Sequence, residues 1–183
     1  MKRVSLLVVL LSVVIGCTTK SLPVLYDLPN FSFTASSGTP FGTAEMREKI
    51  TIVDFIFTRC KGVCPVMAAS MSDLYHRFEE DSNVQFVSIT VDPAHDTLQV
   101  LQQYAKDVGV SDNRWQFLWA PIEKIVDLSE NGFKLSAENL PGGHSSRFVL
   151  IDKSAKIRGY FDGLEGAEMD KLSAGIRQLL RSR

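Results

Sequence analysis

The chain has 183 residues, of which 45% are hydrophobic and 22% are charged. These values are close to the average for a globular domain, and they exclude both a disordered polar chain and a protein with several membrane spans. Lys and Arg number 20 against 21 for Asp and Glu, so we expect no nucleic-acid partner. Three cysteines are too few for a disulfide framework, and each of them can have its own role.

The N-terminal segment has the pattern of an export signal. Lys2 and Arg3 precede an apolar run over residues 4–15, which is too short to cross the roughly 30 Å core of a bilayer but has the length of a signal-peptide core. The run ends in Val-Ile-Gly-Cys17, which resembles a bacterial lipobox. We therefore predict a lipoprotein signal peptide over 1–17, ending at a lipidated Cys17. An uncleaved anchor and ordinary signal-peptidase cleavage are the alternatives.

This signal determines where the rest of the chain is expected. The mature protein would lie outside the cytoplasm, on the periplasmic side or the cell surface, and the lipid would anchor it to a membrane. Residues 18–30 contain two prolines and little periodicity, so they are predicted to form a tether, followed by one domain over 31–183. Outside the cytoplasm, a pair of thiols meets oxidising conditions.

The predicted elements of the domain alternate between strand and helix. A hairpin is predicted over 31–41. The almost continuously apolar run 50–57 predicts a strand buried on both faces, and residues 84–90 predict a second buried strand. Asp54 interrupts the first run, and a buried acid there needs a partner or a function. The remaining predicted helices are 65–80, 97–108, 121–130 and 165–181, and the remaining strands are 115–119, 147–151 and 156–161. This order predicts an α/β domain with a thioredoxin-like fold, in which a central mixed sheet carries helices on both faces.

Cys60 and Cys64 lie between the first buried strand and its helix. Such strand-to-helix turns are where reactive groups project from open α/β sheets. Cysteines at i and i+4 lie on one face of a helical turn, close enough to share a metal ion or to form a disulfide. The helix N-terminus also lowers thiol pKa values. The alternatives are a static disulfide or two small buried side chains without a chemical role.

His144 is the candidate for a third ligand, because it lies in a Gly-rich loop before strand 147–151. A thioredoxin-like fold returns this loop beside the N-terminus of the first helix. His76 and His95 are expected to be solvated. Two thiolates and one imidazole suit copper, whereas zinc would accept the same ligands with a fourth. We predict one copper ion per chain, as Cu(I) or Cu(II).

At these residues the sequence resembles the SCO/SenC family, the copper-binding proteins of cytochrome c oxidase assembly. The similar stretches are spread over residues 50–152 in the order of the family: Asp54-Phe-Ile-Phe-Thr-Arg-Cys60, Cys64-Pro65, Val91-Asp92-Pro93, Asp96-Thr97, Leu101 with Tyr104, and His144-Ser145 before Phe148-Val-Leu-Ile-Asp152. The chain departs from the family at three places: Lys61-Gly62-Val63, where many members carry an acid before the valine; Leu98, in place of a frequent proline; and Trp119-Ala120, where Thr-Gly is common.

The resemblance implies that Cys60, Cys64 and His144 hold one copper ion in an anchored, thioredoxin-like domain. It further implies that the protein delivers copper to the dinuclear copper site of cytochrome c oxidase, or prepares the cysteines of that site. The expected partners are the copper subunit of the oxidase or another copper protein, together with a thiol reductant. Asp92 matches an acid of the family near the metal, where it is expected to support the ligands or order the loop.

The rival hypothesis is an enzyme, a metal-free thiol–disulfide reductase that uses the Cys60–Cys64 pair. Exchange needs an exposed thiolate and a resolving thiol, which the two cysteines can supply. Thioredoxins have a proline before this strand that positions the substrate, and the presence of His144 in its place disfavours the reductase hypothesis. A peroxidase is disfavoured because Phe57, rather than a threonine, stands three residues ahead of Cys60. A copper-binding chaperone without enzymatic activity is therefore the preferred hypothesis.

Overall fold

A computed structural model describes residues 21–182 of the chain. The predicted signal peptide, the lipidated Cys17 and the first residues of the predicted tether lie outside this range. Among the described helices, none combines the length and the apolar character that a membrane span requires.

The described residues form one mixed sheet. Its eight strands are β1 Tyr26–Asp27, β2 Ser32–Ala35, β3 Pro40–Gly42, β4 Ile50–Ile56, β5 Val84–Thr90, β6 Trp115–Trp119, β7 Arg147–Ile151 and β8 Lys156–Asp162. They are arranged in the order β1-β8-β7-β4-β5-β6-β2-β3. The central strands β4, β5 and β6 are parallel, and the flanking pairs are antiparallel.

Helices cover both faces of this sheet. They are α1 Thr43–Met46, α2 Cys64–Arg77, α3 Leu98–Asp107, α4 Ile122–Asp127 and α5 Gly166–Arg181, and a π-helical turn over Leu128–Gly132 continues α4. The helices α2, α3 and α5 pack through Met71, Leu101 and Ile176 on one face of the sheet. The opposite face is covered by α1 and α4, through Met46 and Ile125. The predicted thioredoxin-like arrangement is thereby confirmed.

The alternation of side chains along β4 explains why both faces are covered. Ile52 and Ile56 belong to the core beneath α2, α3 and α5, whereas Val53 and Phe55 belong to the opposite core. A strand apolar on both faces must be covered on both faces, which is why a continuous apolar run is the sequence pattern of a central strand.

Two elements differ from the sequence-based prediction. The helix expected over 121–130 is regular only to Asp127 and then widens into the π-helical turn. The packed domain also begins before residue 31: Tyr26 and Asp27 pair with β8, and Leu28 is buried. The last part of the segment predicted as a tether is therefore bound to the domain, because its backbone completes the edge of the sheet.

The site is positioned by the carboxyl ends of β4 and β5. The two strands pair in register from Ile50 opposite Val84 to Ile56 opposite Thr90, so the loops that follow them leave the sheet side by side. The loop after β4 carries Cys60 and leads into α2, while β7 begins at the same edge because it runs antiparallel to β4.

Candidate metal centre

The two cysteines occupy different positions at the start of α2. Cys60 is half-buried in the loop after β4, and its backbone N–H donates to the carbonyl of Phe57 at 3.2 Å. Cys64 is the first residue of α2 and is buried. Both are free thiols. The residue following Cys64 is a proline, which suits the first turn of a helix because its missing N–H has no helical acceptor there.

His144 joins the cysteines from the loop before β7. Its Nε2 lies 3.3 Å from the sulfur of Cys64, and one ligand atom from each of Cys60, Cys64 and His144 lies within 4.8 Å of the others. The three predicted ligands, which are 80 residues apart along the chain between Cys64 and His144, therefore form one group. Soft thiolates beside an imidazole can hold a soft metal ion.

The orientation of the His144 ring is set by its neighbours. Nδ1 lies 3.1 Å from the carbonyl oxygen of Ser145 and can donate to it, which leaves Nε2 with a free lone pair on the side of the cysteines. The ring of Phe57 meets the imidazole edge-on, with centroids 5.5 Å apart. Burial lowers the pKa of His144, so the neutral form that binds metal is favoured at pH 7.

The cysteines differ in their acidity. Burial opposes ionisation of Cys60, but hydrogen bonds from the Cys64 thiol and from the backbone N–H groups of Cys64, Gly62 and Val63 outweigh it and lower the Cys60 pKa. Burial raises the pKa of Cys64 to about 12, with further contributions from the hydrogen bond and the negative charge of Cys60. Cys60 is therefore the more acidic and the more accessible of the two thiols, and Cys64 keeps its proton until a cation or a disulfide exchange removes it.

A buried carboxylate connects the two loops beneath the site. Asp96 is fully buried and accepts hydrogen bonds from the backbone N–H of Thr58 at 3.1 Å and from its hydroxyl at 2.6 Å. It also accepts from the hydroxyl of Thr90 at 2.6 Å. Because Thr58 stands two residues before Cys60, this network holds the cysteine loop against the end of β5.

Asp92 acts at a distance from the three candidate ligands. Its carboxylate pairs with Arg59 at 2.7 Å, and its backbone N–H donates to the hydroxyl of Thr90 at 3.0 Å. Its carboxylate groups with His95 and Asp96 rather than with the cysteines. Asp92 thus contacts the site indirectly, through Arg59, the neighbour of Cys60, and through Thr90, which also bonds Asp96. As expected, His76 and His95 are exposed.

Asp54, the acid inside the apolar run of β4, has a partner. It is almost fully buried and accepts a hydrogen bond from the hydroxyl of Ser88 at 2.6 Å. The indole N–H of Trp115 donates to the same hydroxyl at 2.9 Å. Burial raises the pKa of Asp54 to about 7, against the lowering effect of the Ser88 hydrogen bond.

A cleft between α2 and α3 opens beside the cysteines. It has a volume of about 540 Å³, and its lining includes Cys60, Cys64, Ala68 and Tyr104. Burial raises the pKa of Tyr104, and the negative charges of Asp54, the two cysteines and Asp96 raise it further. The hydroxyl of Tyr104 therefore stays protonated and remains a donor beside the cleft.

Sequence reasoning missed the role of Asp96. In the sequence it stands out only as part of the family-like stretch Asp96-Thr97, and of these two residues Thr97 caps α3, through a side chain that accepts from the N–H of Val100. The available signal was a pair of threonines at or just beyond the ends of two parallel strands, Thr58 and Thr90, with an acid following. Aligned strand ends bring such groups together.

A comparison with known proteins decides the family. A family model described as SCO1/SenC matches residues 26–181. The chain belongs to the SCO1/SenC family. The resemblance predicted from the sequence is confirmed. The SCO1 protein homolog of Bacillus subtilis (strain 168) is 27% identical over 161 residues, which are 85% of this chain and 83% of the relative.

Solved structures of SCO proteins share the fold. A SCO1/SenC family lipoprotein from Bacillus anthracis str. Ames matches with a TM-score of 0.79 at 30% identity, over 85% of this chain and 96% of the other. BsSco, a Sco protein of cytochrome c oxidase assembly with a disulfide switch, matches with a TM-score of 0.78 at 26% identity, over 88% and 98%. ScoI from Bradyrhizobium japonicum, solved with copper bound, matches with a TM-score of 0.70 at 19% identity, over 84% and 99%, and shows the common fold.

Proposed function

We propose that this SCO1/SenC protein binds one copper ion through Cys60, Cys64 and His144 and acts in the assembly of cytochrome c oxidase. It would deliver the copper to the dinuclear site of the oxidase, or prepare the cysteines of that site. The observation that carries the proposal is the convergence of two sulfurs and one imidazole nitrogen within 4.8 Å at the carboxyl edge of the sheet.

The donor set favours copper over zinc. Zinc takes four ligands in structural sites, but in the described part of the chain the cluster contains three candidate ligands. Cu(I) prefers soft thiolates, and a set of two thiolates and one imidazole also suits copper–thiolate sites. Burial favours the neutral, metal-binding form of His144, and the lowered pKa of Cys60 makes its thiol the easier of the two to ionise when a cation binds.

The relatives support the biological setting. BsSco is a member of a family of cytochrome c oxidase assembly proteins, and the Bacillus anthracis relative is a lipoprotein. We accordingly assign this chain to the outside of the cytoplasm, anchored by lipid at Cys17. Its recipient would be the copper subunit of the oxidase or another copper protein. Asp92 would support the site through Arg59, which lies beside Cys60.

The redox state of the pair would control binding. The free thiols lie close enough to share a metal, and their oxidation to a disulfide converts both donors into a single S–S bond. This step releases two electrons and two protons to an oxidant, and a thiol reductant must return them before copper binds again. The same pair can therefore bind copper when reduced and release it when oxidised.

A second candidate function is thiol–disulfide reduction, favoured by the accessible, acidic Cys60 beside a buried Cys64. The Cys60 thiolate would attack a disulfide of the partner, form a mixed disulfide and release one partner thiolate. The Cys64 thiolate would then attack the sulfur of Cys60 and release the second partner thiol. Two electrons pass to the partner, and the Cys60–Cys64 disulfide remains.

A competition titration tests the first proposal. The reduced chain without residues 1–17 is titrated with Cu(I) against a chelator, together with the variants Cys60→Ser, His144→Ala and His76→Ala. We expect one tight site per chain, weakened by more than about 100-fold in Cys60→Ser and by about 10- to 100-fold in His144→Ala. The exposed His76 is the matched control and should leave the affinity unchanged. Weak binding that does not depend on His144 would overturn the proposal.

The variant His144→Ala distinguishes the two proposed functions. In a disulfide reductase assay, His144→Ala should retain nearly all turnover if exchange is the function, because no step above uses the imidazole. If copper binding is the function, the same variant, loaded with Cu(II), loses the absorption band of charge transfer from thiolate to copper. A wild-type protein that binds copper tightly but reduces no disulfide would leave copper handling as the function.

A further inference from the structure

The N-terminal strap, residues 22–28, is fixed to one corner of the domain. Arg158 holds it, since its guanidinium donates to the carbonyl of Pro23 at 2.9 Å and to that of Leu22. The backbone N–H of Leu25 donates to Ile157 at 2.8 Å, and that of Leu28 donates to Ala155 at 3.1 Å. The strap therefore has a fixed position relative to the sheet.

This corner lies at the opposite end of the sheet from the candidate metal centre. Tyr26 and Asp27 pair with Ile157 and Lys156 at the start of β8, and β8 runs toward the centre, ending beside Arg147. The strand β4 covers seven residues and spans about 23 Å at 3.3 Å per residue. The strap and the cysteines are therefore separated by about the full height of the sheet.

The strap exposes three successive large apolar side chains. Val24, Leu25 and Tyr26 are 51%, 40% and 46% exposed. Exposed apolar residues that stand singly on a surface need no explanation, but these three follow one another in the chain, a few residues after the predicted anchor at Cys17. Tyrosine beside aliphatic side chains is also a composition favoured at the boundary between a membrane and water.

The short segment between Cys17 and the strap indicates which surface covers the strap. Five residue steps separate Cys17 from Leu22, and at 3.3–3.6 Å per residue they span at most about 18 Å when fully extended. A lipid on Cys17 would therefore hold the strap within about 18 Å of the bilayer. A larger protein partner has little space between this corner and the membrane.

We propose that Val24, Leu25 and Tyr26 lie in the interfacial layer of the bilayer that holds the lipid anchor. The domain then stands on its strap end and presents Cys60, Cys64 and His144 away from the membrane. The inference rests on the lipidation of Cys17, which belongs to the proposed function, but it does not depend on copper binding.

Charge contributes little to this contact. Asp27 pairs with Lys156 and Asp152 pairs with Arg158, each at 2.7 Å. Lys134, whose ammonium group lies 5.9 Å from the centroid of the Tyr26 ring, adds a single positive charge beside the strap. Anionic lipids attract surfaces with an excess of Lys and Arg. Docking through the three apolar side chains should instead proceed on zwitterionic lipid and persist at high salt.

Quenching of tryptophan fluorescence by brominated lipid tests the orientation. The full lipidated chain is reconstituted in phosphatidylcholine nanodiscs, with and without bromine on the acyl chains, as the wild type and as the variants Leu25→Trp and Leu164→Trp. Leu25 and Leu164 are both 40% exposed, but Leu164 follows β8 at the end of the sheet beside the metal centre, which makes it the matched control. The wild type corrects for Trp115 and Trp119.

The bromolipid should remove about half or more of the added emission at position 25 and leave that at position 164 unchanged, in low and in high salt. Equal quenching at the two positions, or none at position 25, would overturn the proposal. If Leu25→Trp fails to fold, as judged by circular dichroism, Val24→Trp replaces it. Mass spectrometry of each sample shows whether Cys17 carries lipid, and a chain without lipid would overturn the premise. Copper titration of the same samples tests the proposed function separately.

Discussion

The two ends of the sheet differ in what holds them together. At the metal end, side chains from different loops meet: Asp96 binds Thr58 and Thr90, and His144 reaches Cys64. At the strap end, backbone groups pair directly with β8, and one side chain, that of Arg158, adds hydrogen bonds to two strap carbonyls. Loops held by side chains can present several kinds of chemistry on one fold, whereas backbone pairing depends little on residue type.

The ends also resemble each other in one respect. In residues 21–182, the large apolar side chains that are exposed fall into two groups of three. One group is Val24, Leu25 and Tyr26 in the strap, and the other is Val63, Val66 and Leu164 beside the metal centre. Similar apolar groups thus stand next to the proposed anchor at one end and next to the candidate metal ligands at the other, so position rather than composition distinguishes the two surfaces.

The largest expected difference between the ends is in their response to pH. Burial raises the pKa of Asp54 to about 7 in the folded chain, against an ordinary value of 3.8. Between these values the folded state keeps a proton that the unfolded state releases. The contribution of Asp54 to stability is therefore complete below pH 4 and is lost as the pH rises through 7. The difference of about 3 units corresponds to about 4 kcal/mol.

Urea unfolding between pH 4 and 8 measures this effect. The variant Asp54→Asn should lose the part of the pH slope that Asp54 contributes. The variant Asp27→Asn, at an exposed acid of the strap end, should retain the slope of the wild type. An unchanged slope in Asp54→Asn would show that the buried carboxyl is not the titrating group.

The next largest effect should follow from Asp96→Asn. The amide places donors where Thr58 and Thr90 also donate, and an unsatisfied buried group costs about 1–3 kcal/mol. We expect the free energy of unfolding to fall by about 2–3 kcal/mol and the copper affinity by about tenfold, since groups that hold ligands in place typically contribute this much. Asp107→Asn, which affects an exposed acid bonded to Gln103, is the control and should change neither. Normal copper affinity in Asp96→Asn would show that the hydrogen bonds of Asp96 do not hold the copper ligands in place.

The two cysteines should differ in reactivity. A thiol with a pKa of about 12 has at least about 1,000-fold less thiolate than one below 9, and the greater nucleophilicity of the more basic thiolate recovers about 30-fold of this. We expect iodoacetamide to modify Cys60 at least about 30-fold faster than Cys64 in the metal-free chain. Peptide mass spectrometry after short exposures gives both rates, and similar rates would contradict the assigned acidities.

The smallest effect tests the strap. Arg158→Ala removes hydrogen bonds to Leu22, Pro23 and Asp152, and the free energy of unfolding should fall by about 1–2 kcal/mol. Copper affinity should not change, because the strap lies at the far end of the sheet. A loss of copper affinity in this variant would show that the two ends are energetically coupled.

The sequence alone predicted the order of the main elements and the grouping of Cys60, Cys64 and His144 at one site. Long apolar runs define β4 and β5, and the turn after a buried strand places the cysteines. The network around Asp96 could not be predicted in the same way, because it depends on the register that puts Ile56 opposite Thr90. The alternation of apolar residues along a strand does not show which residue of the neighbouring strand lies opposite it.

The strap was not predicted for a related reason. Two residues of strand are too few to produce an alternating pattern, and their pairing with β8 depends on contacts made by Arg158, 135 and 136 positions further along the chain. Local propensity is weak in short segments, so tertiary contacts determine their structure.

The outer edges of the sheet are both short. It ends at β1, with two residues, and at β3, with three residues of which the first is Pro40. Long exposed edges pair with other chains and lead to aggregates, whereas short strands and proline prevent such pairing. If Cys17 carries the proposed lipid, copies of the protein are concentrated on a two-dimensional surface and collide often. With these edges, the collisions should end in separation rather than in a growing intermolecular sheet.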